Sequence, residues 1–151
     1  MDINKITEYI SKNGTSNSMY GEEKDCAVRA VAAAFDVSYD TAHAFAQRIW
    51  NRKRKRGTNT YAIVKTMQEV SNGRTMFKKN AESVPTVNEY PTKRGVVKCK
   101  SKLSTFANKN NKGTYFVLVR SHATVVKDGI VLDSYAPGST VKYAWKINDI
   151  K

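Results

Sequence analysis

The stretch Ser121-His122-Ala123-Thr124-Val125-Val126-Lys127-Asp128-Gly129-Ile130-Val131-Leu132-Asp133 sets β-forming residues on both sides of an Asp-Gly pair. Asp-Gly is what a two-residue hairpin loop selects, because that loop requires positive φ at its central positions. With Asp128 and Gly129 as the loop, Lys127 faces Ile130, Val125 faces Leu132, Thr124 faces Asp133 and His122 faces Tyr135. Alternate residues share a side of a strand, so His122, Thr124, Asp133 and Tyr135 project together. His122 and Asp133 become diagonal neighbours, about 7 Å apart at Cβ, which lets a carboxylate reach an imidazole nitrogen. A slip of one residue would put them on opposite faces.

Working outward, Thr114 to Arg120 is equally dense in β-formers, and after the Pro137-Gly138 turn Val141 to Ile147 can add a final strand. The centre of the chain gives weaker signals. Short strands are predicted around Thr75 to Lys78 and Gly95 to Cys99, and a helical turn from Leu103 to Asn108. Helical spacing dominates the first half. Ile3, Ile6 and Ile10 share one face of a segment that Asp2 can cap. Val28, Val31, Ala32 and Phe35 follow Asp25-Cys26, with Asp25 a good N-cap. Ala42, Phe45, Ala46 and Ile49 follow Ser38, the cap of a second helix, and Ile63, Met67 and Val70 follow a start near Thr58 to Thr60. Helices first and an antiparallel sheet last make an α+β fold, with N-terminal helices packed on a C-terminal antiparallel sheet.

A chain of 151 residues with 40% hydrophobic residues suits a single domain, 1–151. Its net charge of +13 is unevenly spread. Residues 1–47 hold 4 Lys/Arg against 7 Asp/Glu, residues 48–112 hold 17 against 3, and residues 113–151 hold 5 against 3. The middle segment 48–112 therefore carries the excess, and nucleic acid or another acidic partner is expected there. Arg48, Arg52, Lys53, Arg54, Lys55 and Arg56 are the candidate anion- or nucleic-acid-binding residues, and no sequence-specific DNA-reading motif accompanies them. No apolar run approaches the roughly 18 to 20 residues of a membrane span, and the N-terminus lacks an apolar leader, so a cytoplasmic protein without a membrane partner is expected. Two Cys and two His without paired spacing predict no metal site, and no cofactor is expected. A disulfide between Cys26 and Cys99 stays open, whereas a disulfide-built scaffold does not.

A nucleophilic thiol needs help to ionise, a base, and a group that orients the base. Cys26 falls in the first turn of a predicted helix, where free N–H groups and the helix dipole favour negative charge. Of the two histidines, His43 lies off the apolar stripe of its helix and reads as a surface residue, which leaves His122. The helix start Asp25-Cys26-Ala27-Val28-Arg29-Ala30, followed much later by the hairpin from Ser121 to Asp133, resembles the papain-like cysteine peptidase superfamily. The likeness is greatest to small phage and bacterial Cys-His-Asp proteins and to double-glycine-type peptidases.

That resemblance implies a papain-like fold and a phage-encoded cysteine hydrolase (a thiol protease, isopeptidase or amidase) acting on a peptide or protein. It implies Cys26 as nucleophile, His122 as general base and acid, and Asp133 as the group orienting His122. It covers two blocks, 19–50 and 113–135. One feature departs from the family: no Gln or Asn lies just before the cysteine to complete an oxyanion hole, and the nearest upstream amide is Asn17. The alternative is a non-catalytic virion or nucleic-acid-binding protein that retains the fold and uses its positive face as an anchor. Host cytoplasm or virion is the expected location, with virion proteins as partners in the second case.

Overall fold

The computed structural model describes residues 25–52, 58–120, 122–132 and 139–149. Helix α1 (Cys26–Phe35) is followed by α2 (Tyr39–Ile49) and α3 (Thr60–Ser71). Strands β1 (Lys79–Ser83), β2 (Val87–Thr92) and β3 (Gly95–Lys100) come next, then α4 (Leu103–Lys109). The chain finishes with β4 (Thr114–Val119), β5 (His122–Lys127), β6 (Ile130–Val131) and β7 (Val141–Asp149). Five strands form an antiparallel sheet in the order β1-β7-β4-β5-β6, and β2 and β3 form a separate two-stranded ribbon. The architecture is α+β, as expected.

Alternation along the strands gives the sheet two buried faces. Phe116, Leu118, Ala123, Val125, Trp145 and Ile147 meet the first three helices on one side. Tyr115, Val117, Val119, Val126, Val141 and Ala144 meet Leu103, Phe106 and Ala107 of α4 on the other. Helix α1 has no polar face: only Cys26 and Arg29 escape full burial. An all-apolar helix belongs in an interior, and α1 lies between the sheet, at β4 and β5, and α2. Its alanines keep those contacts close.

Local signals account for most boundaries. The Ser38 hydroxyl accepts the Thr41 N–H at 3.1 Å, and Asn59 Oδ1 accepts the Tyr61 N–H at 2.8 Å, so α2 and α3 begin on side-chain caps. Helix α1 stops where Asp36 turns left-handed at φ 54°. Asp128 and Gly129, at φ 50° and 82°, make the expected hairpin, with Lys127 opposite Ile130 and the Leu132 N–H donating to the Val125 carbonyl at 2.9 Å.

Three expectations change. Thr75 to Lys78 is not a strand: Phe77 and Lys78 are both left-handed, at φ 53° and 63°, and form a two-residue turn closed by paired Met76 and Lys79 backbone bonds. The strand β1 begins only after it. Strand β2, interrupted in sequence by Pro91, has no counterpart among the expected strands; Pro is tolerated because β2 is an edge strand. Ile49 is half exposed (51%) instead of buried, since its helix ends there and Trp50 takes the inward position. The Trp50 ring meets Phe45 edge-on at 5.0 Å, and its Nε1–H donates to Thr66 Oγ1. The predicted segment from Ile3 to Ile10 lies outside the described residues.

A left-handed Phe is strained by about 1–2 kcal/mol, and packing holds Phe77 there. Its ring meets Phe35 at 6.2 Å and Phe45 at 5.4 Å, both edge-on. Phe77→Ala should lower unfolding stability in urea by about 2–4 kcal/mol through lost packing. Phe77→Gly should be less damaging than Phe77→Ala, reversing the usual order, because only glycine is at ease at this φ.

Candidate active site

Cys26 is the first residue of α1, half-buried at the helix mouth. The expected cap does not form: the Asp25 side chain accepts no cap hydrogen bond. Its carboxylate is buried and instead takes the Tyr39 hydroxyl at 2.7 Å and Arg29 Nε at 3.1 Å. Tyr39 opens α2 and is itself buried, so Asp25 ties the start of one helix to the start of the next. His43, one turn along α2, sets its half-buried ring 5.9 Å from that of Tyr39. The signal in the sequence for the Asp25 ion pair is its i,i+4 spacing from Arg29.

His122 opens β5 opposite Val119 of β4. The helix α1 packs along β5, which brings its first residue to the first residues of the strand. The Cys26 sulfur is hydrogen-bonded by the His122 side chain and by the Ala123 backbone N–H. Strand geometry explains the second donor. The Val125 carbonyl points to the β6 side of β5, where it accepts from Leu132. Alternate residues along a strand direct their backbone groups the same way, so those of Ala123 also face that side. Strand β6 ends at Val131, and Cys26 occupies the position beside Ala123.

Burial of the sulfur works against ionisation and pushes the Cys26 thiol up. The His122 hydrogen bond, the Ala123 N–H, the charge of His122 and the Ala27 N–H together outweigh it and hold the thiol below its ordinary value. A sulfur so placed ionises more readily than an ordinary thiol, beside a group able to exchange its proton. Cys99, by contrast, is exposed on β3 opposite Asn88. Both thiols are free.

Of the predicted trio, the structure brings Cys26 and His122 together; Asp133 lies outside the described residues. Its hairpin partner registers, Lys127–Ile130 and Val125–Leu132, are those expected. In the basic set, Arg48 is exposed at the end of α2, but Arg52 is buried (4%) instead of displayed on the surface. Lys53, Arg54, Lys55 and Arg56 lie outside the described residues. A groove lined by Phe45, Ile49, Val70 and Met76, with the Glu69–Arg74 ion pair at its rim, shares no residue with the thiol site. No family model, curated protein or solved structure matches this chain.

With His122 present, alkylation of Cys26 should hold its plateau to below the pH at which an ordinary thiol, of pKa about 8.5, loses reactivity. His122→Ala removes two of the lowering influences and leaves burial, so the inflection should move to higher pH in a stopped-flow alkylation profile. In Tyr39→Phe the buried Asp25 carboxylate loses a donor; chemical denaturation should show a loss of about 1–3 kcal/mol.

Proposed function

We propose that this protein is a cysteine hydrolase of papain-like type that cleaves an amide bond (peptide, isopeptide or a related amide) in a peptide or protein substrate. The observation that carries the proposal is the hydrogen bond between the His122 side chain and a thiol at the mouth of the buried helix α1. Supporting it are the lowered Cys26 thiol, the antiparallel sheet against which α1 packs, and the chain order Cys26, His122, Asp133.

In this mechanism the Cys26 thiolate attacks the substrate carbonyl carbon, and the carbonyl π electrons move to oxygen. Backbone N–H groups at the start of α1, that of Cys26 foremost, face the developing oxyanion. The intermediate collapses as the imidazolium of His122 gives its proton to the departing amine, which leaves a thioester on Cys26. Water then loses a proton to His122 and attacks the thioester, releasing the acid and regenerating the thiolate–imidazolium pair. Asp133 acts through His122 as a positioning residue, fixing the ring by the diagonal cross-strand relation that the hairpin register provides. The expected setting is a phage protein at work in host cytoplasm or virion.

A second function, that of a virion or nucleic-acid-binding protein that retains this architecture without turnover, is favoured by the charge of segment 48–112. An electrophilic thiol probe separates the two. Under hydrolase chemistry Cys26 labels much faster than the more exposed Cys99, and His122→Ala slows Cys26 by about 10²-fold or more, the usual size of general-base assistance. Asp133→Asn should displace the pH profile of that labelling without unfolding the protein. Equal labelling of both thiols, indifferent to His122, would sink the enzyme assignment.

A further inference from the structure

The β2–β3 ribbon stands apart from the rest of the molecule. Every residue of β3 is exposed, including Val96 at 63% and Val97 at 48%. Its anchorage lies at its base, where Lys109 Nζ donates to the buried Asn88 side chain and the Ser101 N–H donates to the Thr86 carbonyl. An unsupported two-stranded hairpin is marginal in water, so an extended ribbon with one fully exposed strand calls for a partner. Its composition says which. Residues 86–102 contain Lys93, Arg94, Lys98, Lys100 and Lys102 against the single acid Glu89.

We infer that this ribbon is a nucleic-acid-binding arm that lays its basic tip and outer face against the phosphate backbone. The tip is ordered: Thr92 Oγ1 accepts the Arg94 N–H and donates to the Gly95 carbonyl at 2.7 Å, which holds Lys93 and Arg94 at the turn. On β3, Val96, Lys98 and Lys100 share one face, across from Pro91, Glu89 and Val87. Lys98 and Lys100 are therefore two strand residues apart, about 6.8 Å, so two cations of one face are presented in a row to the phosphate backbone. Glu89 sits 3.6 Å from Lys98, but both are exposed, and such a pair is weak enough to yield to a phosphate.

A two-stranded ribbon also has the cross-section that the major groove of DNA admits. A second copy of the chain fits poorly, because like charges repel and Pro91 interrupts the edge of β2. The arm lies on elements other than those bearing Cys26 and His122, and it is independent of the hydrolase chemistry. It differs from the run Arg52 to Arg56 as the carrier of the charge.

The test measures binding of the full chain to a fluorescent duplex DNA by anisotropy between about 50 and 200 mM salt. Lys93, Arg94, Lys98 and Lys100, all changed to Ala, should weaken binding by about tenfold or more. The same change should flatten the log–log salt slope by about 3 to 4, near 0.9 for each phosphate no longer neutralised. A control changing the exposed Lys65, Lys127 and Lys142 to Ala should have a much smaller effect. Cys26 alkylation in the ribbon variant should match the parent. Equal weakening in both variants would overturn the assignment. So would equally tight, ribbon-dependent binding of polyglutamate, which would point to an acidic protein instead.

Discussion

Eight of the ten residues of α1 are buried, and the helix can be satisfied only between a sheet and another helix. That single requirement places everything else. It packs against β4 and β5 and against α2. Translation of the helix along the strand is opposed at its start, where buried Asp25 holds the Tyr39 hydroxyl and Arg29. A carboxylate in that position would be costly to leave without donors, and it has two. The first residue of α1 is thereby fixed, and that residue is Cys26.

The chemistry of Cys26 is a balance set by this packing. Partial burial alone would make the thiol a weaker acid; the His122 side chain and two backbone N–H groups, from Ala27 and Ala123, reverse the outcome. Two of these influences come from β5 and one from the helix itself. The site is thus a junction between elements, and neither α1 nor the hairpin could produce it separately. The same separation of tasks recurs on a larger scale. The thiol lies against the central sheet, while the most exposed positive charge among the described strands projects on the β2–β3 ribbon.

Where tertiary packing and local preference disagree, packing prevails. Phe77 takes a backbone conformation suited to glycine because Phe35 and Phe45 enclose its ring. Arg52, part of a basic run expected to face an anionic partner, is buried. Ile49 keeps to the apolar spacing of α2 and yet is half exposed, because the interior at that end is filled by Trp50.

The amino-acid sequence by itself determined the elements whose signals are local. The period of α1, the Ser38 cap, and the Asp128-Gly129 turn with the register it imposes all depend on residues within a few positions of one another, and all are found as read. The order of Cys26 before His122 and the α+β class were legible for the same reason. Only the tertiary structure decided that the sulfur and the imidazole meet, since nearly a hundred residues separate them and no local rule spans that distance. It alone assigned Asp25 to Tyr39 instead of to a helix cap, set Phe77 in a turn, and freed β2 and β3 from the sheet. In each of those cases the deciding partner lies on another element, and distance along the chain hides it.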